Sequence, residues 1–122
     1  MLELKEKVAL IAKALKLKKG MDVCALQVEK LTTLTEVFVI ASAASASQLR
    51  AMADEVEDTL GKAGDPPRTT EGTAAGGWIL MDCGSVIVQL FHRDKRKYYQ
   101  IERLWADGTP IDLKDSEEQK ED

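Results

Sequence analysis

Glu36-Val-Phe-Val-Ile-Ala-Ser42 is the stretch that decides the fold. Its apolar residues, Val37 to Ala41, run on without the polar alternation of a strand that has one wet face. A run of this kind suits a strand buried on both faces, near the middle of a sheet. Just downstream, Ser45-Ala-Ser-Gln48 has the form of a capping box, in which a hydroxyl and an amide satisfy the first free N–H groups of a helix. That helix puts Leu49, Met52, Ala53, Val56 and Leu60 on one face, and Gly61, Gly64 and Asp65-Pro66-Pro67 end it.

Further out, Leu4, Val8, Ile11, Ala12 and Leu15 recur at helical spacing between lysines and glutamates, with Gly20 just past the end. Asp22 to Val28 reads as a strand. Arg68 to Glu71 suits a short edge strand, and Thr73-Ala-Ala-Gly-Gly77 a flexible connection. Trp78 to Asp82 and Val86 to His92 form a hairpin around Asp82-Cys83-Gly84-Ser85. Asp94 can cap a third helix running to about Leu104, and Ile111 to Leu113 a last extended piece. The order predicts an α/β, α+β-like layered domain: one mixed sheet of about five strands packed with about three helices. That domain is expected over residues 1–113. The tail, Lys114 to Asp122, is nearly all charged or polar and is expected to be disordered, having nothing to bury.

The 122 residues carry a net charge of -4, which opposes non-specific nucleic-acid binding by the whole surface. It does not oppose a basic protein partner. No apolar run approaches the roughly 20 residues that span a bilayer, and the start lacks a signal-peptide h-region, so no membrane association and a cytoplasmic location are expected. Cys24 and Cys83 form no CxxC pair. With one histidine in the chain they read as reduced structural thiols, Cys24 in the core and Cys83 at a turn.

A search for catalytic constellations finds little. His92, ending a strand, has no neighbouring nucleophile motif, and Gly72, Gly76, Gly77 and Gly84 form no phosphate loop. A metal-dependent nucleotidyltransferase site would need carboxylates such as Asp82 and Glu36 on adjacent strands. Asp82 reads better as a turn former ahead of Gly84. No catalytic residue, metal site or cofactor is expected.

Binding features are stronger. Trp78 follows two glycines, and Phe91, Tyr98, Tyr99 and Trp105 crowd the last third of a chain with six aromatics. Tyr98, Ile101 and Trp105 share one helical face, while Tyr98 and Tyr99, about 100° apart, cannot both point inward. Arg93, Lys95, Arg96 and Lys97 open the same helix, where cations oppose its dipole. Aromatics beside arginines are the stuff of interface hot spots.

Gly77-Trp-Ile-Leu-Met-Asp-Cys-Gly84, Val86-Ile-Val88, Phe91-His92, Arg96-Lys-Tyr-Tyr99 and Ile101-Glu-Arg-Leu-Trp105 together resemble the C-terminal signature of the ribosomal silencing factor (Iojap-like) family. Asp22-Val-Cys-Ala-Leu26, the Glu36–Ser42 run, Gln48 to Val56 and Glu71-Gly72 resemble the rest of that pattern, in order, over residues 2–113. The resemblance implies a fold distantly similar to nucleotidyltransferases without their carboxylates. It implies binding to the large ribosomal subunit through its protein L-fourteen, blocked subunit joining, and repressed translation when nutrients are scarce. The partner-facing residues it implies are Trp78, Leu80, Arg96, Tyr98, Tyr99 and Trp105; beside it, the local basic patch at Arg93 to Lys97 suits a minor contact with ribosomal RNA. A homodimer is compatible with the sequence. A degenerate nucleotidyltransferase is the alternative. In place of the family's usual Ser-Gly-x-Ser loop the chain has Ser42-Ala-Ala-Ser-Ala-Ser-Gln48.

Overall fold

Helix α1 (Leu4–Leu17) buries Val8, Ile11, Ala12 and Leu15, the stripe that the periodicity marks, and Ala14 beside it. Each large side chain so buried contributes about 1.5–3 kcal/mol. The helix ends in a Schellman motif: Gly20 N–H reaches Leu15 O at 2.8 Å and Lys19 N–H reaches Lys16 O at 2.9 Å. The left-handed residue is Lys19 (φ 62), not the glycine after it. Gly20 is needed for closeness, since a Cβ there would stand 3.0 Å from Leu15 O and 3.1 Å from Met52 Cε.

Residues 2–95, 108–111 and 113 are described by a computed structural model of the chain. After α1 come β1 (Met21–Gln27), β2 (Val37–Ala43), α2 (Ala46–Lys62), β3 (Thr69–Thr73), β4 (Trp78–Asp82), β5 (Val86–His92) and β6 (Thr109–Ile111). The strands form one sheet in the order β3-β4-β5-β2-β1-β6. The pairing of β2 with β5 is parallel, from Val37 opposite Val86 to Ala43 opposite His92. The other pairs are antiparallel. The sheet is therefore mixed, as expected, with six strands instead of about five. The late extended piece begins two residues earlier than its apolar pattern suggests, because pairing with β1 selects Thr109-Pro-Ile111. The expected tail, 114–122, lies outside the described residues.

Every residue of β2 is buried, which is why it reads as an unbroken apolar run. Val37, Val39, Ala41 and Ala43 join the core beneath α1 and α2 with Val86, Val88 and Leu90. Phe38 and Ile40 belong to a second cluster, with Val28 and Phe91. The two helices run antiparallel. Gln48 ties one end: its backbone N–H meets Ser45 Oγ at 3.1 Å, and its Nε2 donates to Lys18 O and Lys19 O at 3.1 and 2.9 Å. Its Oε1 accepts from Ala44 N–H at 2.7 Å, so the amide caps α2 and anchors α1 at once.

At the other end, Lys7 is buried although its helix pattern marks it as polar. Its ammonium donates to Cys83 O and to Asp65 Oδ2, the latter at 2.9 Å. One cation thus joins α1, the segment after α2 and the β4–β5 turn. The Lys7 hydrogen bond holds the Asp65 carboxyl below its ordinary value near 3.8, against partial burial and with help from Leu2 N–H. A lowered folded pKa gives stability that is present above about pH 4 and lost as pH falls through the folded value. Asp65→Asn is therefore expected to cost about 2 kcal/mol at pH 7, less than a fully buried pair because the carboxylate is partly exposed. The gap from wild type, read from thermal melts, is expected to narrow below about pH 3. A gap independent of pH would show that the carboxylate's charge is not what matters.

Neither cysteine is in a disulfide: Cys83 lies at the turn as expected but is buried, and Cys24, expected in the core, is half-buried. Cys24 stands beside the second cluster, where cover is partial. Cys83 lies under the β4–β5 turn, and burial pushes its thiol up to about 11, which makes it a poor nucleophile.

Candidate functional site

The second face of the sheet carries the candidate site. Side chains alternate along each strand, so Trp78, Leu80 and Asp82 of β4 share a face, while Ile79 and Met81 point to the helices and are buried. Across β5 their partners are Phe91, Gln89 and Ile87. Across β2 these meet Ser42, Ile40 and Phe38, and Cys24 and Leu26 of β1 complete the rows. Phe38, Ile40 and Phe91 are buried at the centre, with Trp78, Ile87, Leu26 and Cys24 half-buried around them. Trp78 and Leu80 thus stand on the margin of an aromatic cluster, next to the all-exposed edge strand β3.

Two glycines shape the approach to Trp78. Gly72 has φ +85, and a Cβ there would run into the Trp78 backbone carbonyl and stand 2.7 Å from Trp78 Cε3, so the strand backbone and the indole together occupy the space a side chain would need. Gly77 has φ +79, and a Cβ there would meet Lys95 Cγ at 2.9 Å. Between them the β3–β4 turn closes by Gly76 N–H to Thr73 Oγ1 and Gly77 N–H to Ala74 O, each 3.0 Å. His92 N–H holds Gly77 O at 2.8 Å, which fixes the start of β4 against the end of β5. An aromatic pinned in this way loses little further entropy on binding.

The residues weighed for catalysis fall elsewhere. Asp82 Oδ1 accepts from Gly84 N–H at 2.9 Å, the turn role expected of it. Glu36 is exposed, with β5 between its strand and that of Asp82. Among the described residues no cluster of histidine, cysteine and carboxylate side chains could hold a metal. His92 Nδ1 accepts from Asp94 N–H at 3.3 Å. The chain is already helical at Arg93, so His92 takes the capping position that the sequence suggested for Asp94.

Of the six expected partner-facing residues, Trp78 and Leu80 are brought to one face. Arg96, Tyr98, Tyr99 and Trp105 lie outside the described residues. Sequence reasoning passed over Leu26, Ile87 and Gly72. The apolar runs hide which side chains share a face, and the link between Gly72 and Trp78 crosses a hairpin.

Comparison with known proteins gives a consistent result. The family described as "Ribosomal silencing factor during starvation" matches residues 2–122. The chain is 35% identical to the ribosomal silencing factor RsfS of Bacillus subtilis, over 79% of this chain and 81% of that protein. It is 36% identical to the factor of the same name from Chromobacterium violaceum, over 89% of each. A crystal structure of a Chromobacterium violaceum protein superimposes with a TM-score of 0.83 at 36% identity, covering 86% of this chain and 88% of the other.

Proposed function

The chain belongs to the ribosomal silencing factor family, and from that premise we propose that it represses translation by keeping the ribosomal subunits apart. It binds the large subunit in the cytoplasm, through protein L-fourteen, at the surface where the small subunit would dock. It does so when nutrients are limiting. The observation that carries this reading is the Trp78 margin: an indole beside the positive-φ Gly72, with half-buried Leu80 and Ile87 on the same sheet face, one strand in from the exposed edge strand β3. Interface hot spots are built from such pre-set aromatics with an apolar surround. Arg96, Tyr98, Tyr99 and Trp105 enter the proposal from the family resemblance.

The electrostatics favour the same partner. Ribosomal proteins are mostly basic, and a chain of net charge -4 is drawn to such a surface before any contact forms. Repression then needs only occupancy, because a body docked on the joining face excludes the other subunit sterically. On this reading the protein is not an enzyme and no cofactor takes part. Among the described residues no helix is long and apolar enough to cross a membrane.

Sedimentation with purified subunits tests the proposal. The protein is expected to travel with isolated large subunits and not with small ones, and to suppress the rise in light scattering when the two are mixed. Equal binding to both, or to neither, overturns it.

A further inference from the structure

The parallel pairing of β2 and β5 brings their carboxyl ends together, with Ala43 opposite His92. The chain leaves β2 directly into α2 and leaves β5 directly into the helical turn Arg93–Lys95. Gln48 draws Lys18 and Lys19 to the same place through their carbonyls. Three segments far apart in sequence therefore place Lys18, Lys19, Arg50, Arg93 and Lys95, all exposed, around one end of the molecule. Among the described residues the carboxylates at this end are Asp22 and Asp94, with Glu55 further down α2 and 3.8 Å from Lys18. More of the negative charge sits away from the rim: Asp54, Glu57 and Asp58 line a shallow groove with Pro66 further along α2.

Internal electrostatics explain only part of this rim. Lys18 and Lys19 close α1, where cations suit the helix dipole. Arg50 lies near the start of α2, whose first turn has no acidic residue, and Arg93 and Lys95 open a helical turn. Cations at Arg93 and Lys95 oppose the dipole of that turn, and Arg50, past the first turn of α2, gains nothing from its helix dipole. The rim also runs into the Trp78 edge, because the Lys95 stem packs beside Gly77. Its side chains are long, cationic and exposed. Lysine is depleted from the cores of protein–protein interfaces, whereas lysine and arginine supply most contacts to nucleic-acid phosphates.

We propose that Lys18, Lys19, Arg50, Arg93 and Lys95 hold ribosomal RNA phosphates when the Trp78 edge is docked on the large subunit. This rests on the ribosome-binding reading above and adds a second, electrostatic contact to it. A chain that is acidic overall does not bind RNA indiscriminately, yet the rim engages it once the protein contact has brought it close. The affinity then carries a salt dependence that an apolar contact alone would lack.

The test uses the full chain with Lys19→Glu, Arg50→Glu and Arg93→Glu combined, and isolated large subunits titrated from about 50 to 300 mM potassium chloride. Each phosphate contact contributes about 0.7–0.9 to the slope of log affinity against log salt. The variant is expected to show a slope shallower by about 2–3 and an affinity about tenfold or more weaker near 100 mM. Its melting temperature should fall only slightly, since of the three only Lys19 suits a helix dipole. The neutral double variant Arg50→Gln, Arg93→Gln is expected to lose about two thirds as much slope, which guards against an effect of added charge. Binding to isolated L-fourteen should be unchanged for both. Wild-type slope and affinity in the variants overturn the proposal while the ribosome reading stands. An equal loss against isolated L-fourteen overturns it in favour of a protein contact. Failure of the wild-type chain to bind large subunits overturns both readings.

Discussion

Trp78→Ala is expected to weaken binding to the large subunit by about thirty-fold or more while leaving the domain folded. Truncating a central interface tryptophan commonly costs about 2 kcal/mol or more, and each 1.4 kcal/mol is a factor of ten. Trp78 meets the conditions for such a role. It is half-buried, it rests on Gly72, and Phe91 across the strand backs it with a fully packed ring. Its loss uncovers the margin of the second cluster and leaves both sheet faces otherwise intact, so about 1–2 kcal/mol of stability should go with it. Trp78→Phe keeps an aromatic on the glycine shelf and should recover much of the affinity. Lys62→Ala, on the exposed surface of α2, is the neutral control. A folded Trp78→Ala protein that binds as tightly as wild type would remove this edge from the contact surface.

Gly72→Ala is expected to be the most damaging small substitution in the described chain, at about 2–4 kcal/mol. The left-handed backbone at φ +85 costs a residue with a Cβ about 1–2 kcal/mol. The rest comes from the new methyl running into the Trp78 backbone carbonyl and standing 2.7 Å from Cε3, so that both the start of β4 and the indole would have to move. In a chain of this size the melting temperature should drop by about 10 °C or more. Binding should fall further than the unfolded fraction explains, since the displaced ring is the anchor. Gly61→Ala is the contrast: it lies within α2 with nothing within 4 Å of the added carbon, so it should stabilise by up to about 1 kcal/mol. Equal melting temperatures for the two variants would refute the shelf described for Trp78.

What could be read in advance follows from what is local. The all-buried β2, the Ser45 cap, the apolar face of α2 and the Asp82 turn each depend on neighbours within a few residues, and they appear as the pattern implies. The mixed sheet follows from the order of those elements. Lys7 could not be foreseen in the core, because its burial depends on Asp65 and Cys83 O reaching it from distant segments. The same holds for the two thiols, whose cover comes from tertiary placement and not from flanking residues. For the site, two glycines before a tryptophan were a visible sign. The shelf beneath the ring and the basic rim were not, since β-pairing assembles both. Arg96, Tyr98, Tyr99 and Trp105 rest on the family pattern alone.

The parallel partnership of β2 with β5 bears also on how the chain is made. Val37 and Val86 stand about fifty residues apart, so the central strand cannot complete its hydrogen bonding until β5 has been synthesised. A nascent chain ending before β5 holds its most apolar segment with only β1 beside it, open along one edge. Contacts this distant in sequence form slowly, because loop closure must come first. An unpaired apolar strand is in the meantime a template for other chains. The polypeptide leaving the exit tunnel therefore passes through a stretch of vulnerability that ends only with Val86–His92. Pausing of synthesis within that window, or binding of a chaperone to it, should govern the yield of folded protein more strongly than changes in the stability of the finished domain.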